Sequence, residues 1–401
     1  MNDPLRVRVT GPLARHAAGF RAELVARGYA PGSQALQLQL AAELSRWLEA
    51  QGLGVSDLTS ERVEQFFQMR RARVRVLYVS PRALRVLLDH LGQAGVLPVP
   101  VPAGPSPLEA FLDRYHGYLL RERGLAERTA VRYVHVARRF LASCSRHGDA
   151  GLAGVSAESA VRFLTAECAV RSTGWARCVA VALRSLLRFL HMEGLIGQPL
   201  AQAVPTPAGW RLAGLPEALA PAALSALLAG CDRESAAGRR DYAVLLMLAR
   251  LGLRAGEVAA LQLADVGWRE GQLRVSGKGR RLDLLPLPPD VGRALADYVQ
   301  NGRPRVAGGA LFRRAVAPHR ALAATTVTGI VYRACDRAGL PRAGAHRLRH
   351  TAATQMLRAG ASLPDIAQVL RHASTASTAI YAKVDRQALA ALARPWPGGA
   401  A

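Results

Sequence analysis

The sequence predicts a mainly α-helical protein with one small β-hairpin: one or two helical N-terminal domains followed by a mixed α+β domain. Three observations predict this. Helical patterning runs through most of the chain. Only Gln272 to Ser276 and Arg281 to Leu287 read as strands, and the turn Gly277-Lys278-Gly279 joins them. Two Pro-rich stretches, Leu97 to Pro107 and Gln198 to Pro221, break the helical pattern and read as linkers. They divide the chain into segments of about 1–96, 108–197 and 215–394.

The 401 residues carry a formal net charge of +24, and half are hydrophobic. A chain of that length and apolar content holds two or three domains and is not disordered. The excess of cationic side chains points to a polyanionic partner, nucleic acid by default. A merely basic surface shaped by codon bias is the alternative, since Arg far outnumbers Lys. The N-terminus has no signal-peptide core. The most apolar run, Tyr242 to Leu253, is interrupted by Arg250, too short to span a bilayer, and reads as a buried helix. Five scattered cysteines without a Cys-x-x-Cys pair fit a reducing cytoplasm and argue against structural zinc.

Taken in order, the first two segments resemble each other. Arg27-Gly28 and Arg123-Gly124 each end an apolar helical stretch. Ser33 and Thr129 then stand at helix starts, and Thr59 and Ser156 stand as caps before an amphipathic helix. The offset is 96 or 97 residues throughout. It reads either as a duplicated helical module or as a chance alignment of two Ala/Leu/Arg-rich segments. In the second segment Arg184 and Arg188 lie four apart and share a helix face. Such arginines, with Arg128, Arg132, Arg138 and Arg139, suit phosphate contact or a solvated surface. In the third segment, helices are expected at 240–251, 254–262, 289–300, 325–338, 346–359, 362–370 and 374–381.

The chemistry-bearing residues crowd the third segment. His346 and Arg349 are three apart and so share a helix face; His372 and then Tyr381 follow. Two imidazoles, a guanidinium and a phenol are the parts needed to attack a phosphodiester without a metal. Arg grips phosphate oxygens with a flat fork of donors, His carries protons near neutral pH, and Tyr can become a covalent nucleophile. Each has a plainer reading alone: Tyr381 as a packed aromatic, Arg254 as a surface residue, Lys278 as an ordinary turn lysine. His346 and His350 at i,i+4 suggest zinc, but Arg347 stands where the helical zinc-protease motif needs Glu. His350 is expected to pack or bond beside Arg349.

These boxes together resemble the tyrosine recombinases, or phage-type integrases. His346-x-x-Arg349, His372 and Tyr381 resemble the family's C-terminal signature. Gly252-Leu253-Arg254-Ala255-Gly256-Glu257 resembles the box of its first catalytic Arg, and Ser276-Gly277-Lys278-Gly279 the hairpin of its catalytic Lys. The resemblance implies a helical core-binding (SAM-like) DNA-binding domain at 108–197, an N-terminal helical module at 1–96 and a tyrosine-recombinase catalytic domain at 215–394. It implies a site-specific recombinase that cuts and rejoins DNA through a 3′-phosphotyrosine, in integration, excision or transposition. Tyr381 would be the nucleophile, Arg254 and Arg349 the phosphate clamps, Lys278 the general acid, His346 an acid/base and His372 a phosphate hydrogen-bond donor. No cofactor or metal is expected. The expected partners are double-stranded DNA sites and three further copies of the chain, in a homo-tetramer on two sites, with no membrane. The expected location is cytoplasmic and nucleoid-associated. A helix at 385–394 would dock on a neighbouring subunit or fold back on its own domain. Where the family often has Leu-Gly-His, this chain has Leu370-Arg371-His372, and Arg371 is expected to contact DNA or face solvent. A type IB topoisomerase-like relaxing enzyme and a non-catalytic DNA-binding accessory protein are the competing readings.

Overall fold

A computed structural model of the chain describes residues 7–72, 80–97, 106–144, 152, 154–208, 218–277, 282–371 and 381. Lys278, His372, the 385–394 segment and the tail lie outside the described residues, as does the 374–381 helix except for Tyr381. The chain divides into two compact units, Met1–Pro98 with Gly214–Ala401, and Val99–Ala213.

The N-terminal part of the first unit has α1 (Ala17–Ala26), α2 (Pro31–Ala50), α3 (Ser60–Arg71) and α4 (Arg85–Gln93) around its own apolar core, which includes Phe20, Leu44, Phe66 and Phe67. The second unit has α5 (Pro107–Arg121), α6 (Glu127–Cys144), α7 (Ala157–Val170) and α8 (Thr173–Met192) around Tyr115, Phe140, Leu183 and Phe189. The expected caps form: Thr59 Oγ1 accepts from Arg62 N at 3.3 Å and Ser156 Oγ from Ser159 N at 3.1 Å. Helix α2 starts two residues before Ser33, because Pro31 at the first helical position loses no needed N–H there. Helices α2 and α6 begin 96 residues apart and α3 and α7 begin 97 apart, whereas α4 and α8 begin 88 apart.

Two expectations for the second unit change. The stretch from Gln198 is not all linker: a 3-10 turn at Leu200–Ala203 buries Ala201, and Val204 joins the core. Arg184 holds that segment, donating from Nη2 to Val204 O at 2.9 Å and to Thr206 Oγ1 at 2.6 Å. It is therefore a structural tie. Arg139 is likewise committed to buried Glu167, which also accepts from Trp175 Nε1 at 2.9 Å. Arg128, Arg132 and Arg188 remain exposed.

The C-terminal part of the first unit follows: α9 (Pro221–Ala229), α10 (Ala236–Arg250), α11 (Ala255–Ala260), β1 (Val266–Gly267), β2 (Gln272–Ser276), β3 (Leu282–Pro286), α12 (Pro289–Asp297), α13 (Ala324–Arg337), α14 (Ala345–Arg358) and α15 (Leu363–Val369). The apolar run read from the sequence forms most of α10, buried from Ala243 to Ala249 as the centre of this core. The described strands make an antiparallel sheet in the order β1-β2-β3, with Leu273, Val275 and Leu285 turned inward. Strand β1 was not expected; two residues are too short to show a period of two. Helix α12 ends earlier than expected, passing at Tyr298 into a π-helical turn whose phenol accepts from Arg313 N at 3.1 Å.

Candidate active site

The first part of the site is the break between α10 and α11. Gly252 adopts φ +58, and a β-carbon there would stand 2.4 Å from Leu370 Cδ2, so any other residue would be strained and would have to displace Leu370. Arg254 follows at the N-cap of α11, its side chain about two-fifths exposed. Glu257, in the first turn, folds back and accepts from Arg254 N at 2.8 Å and from Arg254 Nη1 at 2.6 Å. Its second oxygen also accepts from Arg371 Nη2 at 2.7 Å. Burial alone would raise the Glu257 carboxyl pKa; the backbone N–H of Arg254 and the charges of Arg371 and Arg254 outweigh it and hold the group ionised below its usual range.

The second part is α14. Its pitch puts His346, Arg349 and His350 on one side. Arg349 is the largest fully buried side chain described, 1% exposed. Its guanidinium is seated by two main-chain carbonyls, Gly252 O at 2.5 Å from Nη1 and Leu370 O against Nη2. Burial, then the positive charge of Arg254, lowers its pKa to about 10, which leaves it protonated at neutral pH.

His346 and His350 meet edge to face, with ring centroids 4.3 Å apart. Although His346 is exposed as a residue, the protein around its ring, then Arg349 and Arg254, hold its pKa below the ordinary value. His350 is pushed down to about 4 by burial, then by His346 and Arg349, so it is neutral at physiological pH. Its Nδ1 lies 2.8 Å from the Tyr381 hydroxyl. A neutral ring with Nδ1 as acceptor lets the phenol donate. Tyr381 is itself 1% exposed, packed with Ala353, Ile366 and Leu370. Burial raises its pKa, with Arg349 pulling the other way.

The structure thus brings together Arg254, His346, Arg349 and Tyr381 of the six residues singled out in the sequence; Lys278 and His372 lie outside the described residues. His350 lies within reach of the Arg349 charge, as expected, and is joined to the cluster by its bond to Tyr381, which was not expected. Its spacing of four from His346 was a signal, but proximity to Tyr381 depends on how two distant segments fold. Arg371 departs from expectation: its side chain is 7% exposed and is bonded inside the protein, not turned to solvent. Among the described residues, no cluster of three or more His, Cys, Asp or Glu is placed to hold a metal, and no helix is long and apolar enough to cross a membrane.

The sequence pattern of the Phage integrase family matches residues 217–388. The chain is 40% identical over 395 residues to a protein named integrase/recombinase y4rA of Sinorhizobium fredii, covering 97% of this chain and 96% of that one. It is 32% identical over 305 residues to the tyrosine recombinase XerD of Xanthomonas axonopodis pv. citri, covering 72% and 96%. By structure it is similar to a lambda integrase dimer bound to a COC′ core site, with TM-score 0.53, 17% identity and coverage of 80% of this chain and 90% of that one. It is also similar to the XerH site-specific recombinase bound to a palindromic difH substrate, with TM-score 0.50, 18% identity and coverage of 90% and 95%. These two likenesses concern the fold. The chain belongs to the phage integrase family of tyrosine recombinases. It is a DNA strand-cutting and rejoining enzyme of site-specific recombination.

Proposed function

We propose that Tyr381 attacks a scissile DNA phosphate and forms a 3′-phosphotyrosine, which the 5′-hydroxyl of a partner strand then resolves. Bond energy is conserved in that link, so no nucleotide is consumed. Arg254 and Arg349 grip the nonbridging oxygens and take up charge as phosphorus becomes pentacoordinate, the electrostatic contribution expected to dominate. Lys278 protonates the leaving 5′-oxygen, His346 acts as acid/base, and His372 donates to the phosphate. The observation that carries this reading is the Tyr381 hydroxyl held at a neutral imidazole, in a cluster with two guanidinium groups.

The resting pair does not itself ionise. Burial holds the phenol above its ordinary pKa and the imidazole well below its own, so proton transfer within the pair runs uphill. In this proposal the proton leaves only as the phenol oxygen bonds to phosphorus in bound DNA, with His346 as the acid/base that takes it and the two guanidinium groups holding the charge that builds on the phosphate.

Double-stranded DNA carrying a specific site is the proposed substrate, and four copies on two sites the proposed working assembly. A lambda integrase tetramer bound to a Holliday junction has the same fold, with TM-score 0.53, which supports that assembly. The proposed domains are the helical module at 1–96, the core-binding domain at 108–197 and the catalytic domain at 215–394. The separate apolar cores and the matching starts of α2/α6 and α3/α7 support this division and a duplication.

One experiment tests the nucleophile and recovers the DNA site together. Protein is incubated with sheared source DNA in EDTA, stopped with SDS, and the protein-linked fragments are sequenced beside Tyr381→Phe. Adducts that require Tyr381 and map to one paired inverted site are expected. Dispersed adducts would favour a relaxing topoisomerase, and adducts that persist in Tyr381→Phe would remove the nucleophile assignment.

A further inference from the structure

Arg371 holds an unusual combination of properties. Its backbone sits at φ +55, a left-handed conformation that costs a side-chain-bearing residue energy and that glycine takes freely. Strain of that kind persists where surrounding contacts over-determine it. Several contacts do so here. The side chain is 7% exposed, against 6% for its partner Glu257. Nη2 donates to Glu257 Oε2 at 2.7 Å and Nη1 donates to Val369 O at 3.1 Å. Nε stands 3.9 Å from Asp283 Oδ2 on β3.

The Glu257 carboxylate is therefore shared. One oxygen takes Arg254 Nη1; the other takes Arg254 N and Arg371. The carbonyl of Arg371 also accepts from Arg254 Nη2 at 3.5 Å. Arg254 is thus touched by Arg371 twice, through a common carboxylate and directly through the main chain. Its charge matters too: with Arg254, Arg349 and Arg371 set against Glu257 and Asp283, the group keeps one net positive charge.

We propose that Arg371 is a positioning residue of the recombination site, which by holding Glu257 Oε2 and presenting its own carbonyl fixes where the Arg254 guanidinium meets the scissile phosphate. The inference rests on the reading of Arg254 as a phosphate clamp. In this proposal Arg371 acts through Glu257 and Arg254.

The test uses full-length protein and a synthetic duplex carrying the site recovered by adduct sequencing. Arg371→Gly is the variant of choice, because glycine accepts the backbone at this position and the fold is retained; circular dichroism and Tm check this. Arg371→Gly should slow single-turnover cleavage at saturating DNA by on the order of 10- to 100-fold, the scale of a misplaced reacting group, with Kd for the duplex within about twofold. Arg371→Lys, which restores a cation to Glu257, should recover most of that loss. On the same duplex with a neutral methylphosphonate at the scissile position, the oxyanion Arg254 must meet is gone, so Arg371→Gly and the parent protein should differ by less than about threefold. A merely structural role would leave equal defects on both duplexes, and that result, or unchanged cleavage of the natural duplex, overturns the proposal. Arg254→Ala separates the two levels: if it cleaves the natural duplex normally, the clamp reading itself has failed, and if it is crippled while Arg371→Gly is not, only this inference has.

Discussion

Substituting His350 by Asn gives a sharp test of the buried pair at the heart of the site. An Asn side chain keeps a hydrogen-bond acceptor near Tyr381 but cannot take up a proton. In the native protein the imidazole titrates near 4, against about 6.5 in an unfolded chain. The folded state therefore binds fewer protons than the unfolded one between these values. Stability is full above pH 6.5 and is lost as pH falls towards 4. Between pH 7 and pH 5 this single group should remove about 2 kcal/mol of stability. His350→Asn should lack that increment, whatever its stability at pH 7. Urea unfolding of both proteins at the two pH values measures it, and the imidazole ¹³Cε1 resonance followed against pH reads the same pKa directly. If both proteins lose equal stability on acidification, or the resonance titrates near 6.5, then His350 is not desolvated between His346, Arg349 and Tyr381 as the geometry requires.

Other substitutions probe the remaining parts. Tyr381→Phe should abolish SDS-stable DNA adducts, keep DNA affinity measured by gel shift, and cost about 1 kcal/mol in urea unfolding from the lost bond to His350. Arg349→Met should lower single-turnover cleavage by about a hundredfold or more, and also destabilise the fold, because the carbonyls of Gly252 and Leu370 lose their donor. Gly252→Ala should lower stability by about 2 kcal/mol or more, since its φ is unfavourable for alanine and its methyl meets Leu370; a thermal melt at wild-type temperature would contradict this. Lys278→Ala should cleave slowly on ordinary DNA and near normally on a duplex with a 5′-thio leaving group; an equal defect on both would argue against an acid role.

The parts legible in the sequence were those set locally. The caps Thr59 and Ser156, the buried run within α10, and the β2–β3 hairpin around Gly277 follow from spacing and residue type. The candidate site residues of α14 were legible because a helix fixes which positions share a face. Long-range pairings were not. Nothing local says that Arg184 will close on Val204 and Thr206, or that a cation at 371 will find Glu257, 114 residues earlier. His350 shows the same limit: its helix position was clear, but its partner arrives 31 residues later on another segment.

The seating of Arg349 bears on when the protein becomes dangerous to DNA. Its guanidinium is held by carbonyls 97 residues before it and 21 residues after it. The second is missing from a partial chain that stops short of Leu370, and neither is in place in a chain whose α10–α11 break has not packed against α14 and α15. If Arg349 is the phosphate grip proposed above, that grip doubles as an assembly check: a misfolded copy carries Arg254, Arg349 and Tyr381 without the geometry that would let them act together.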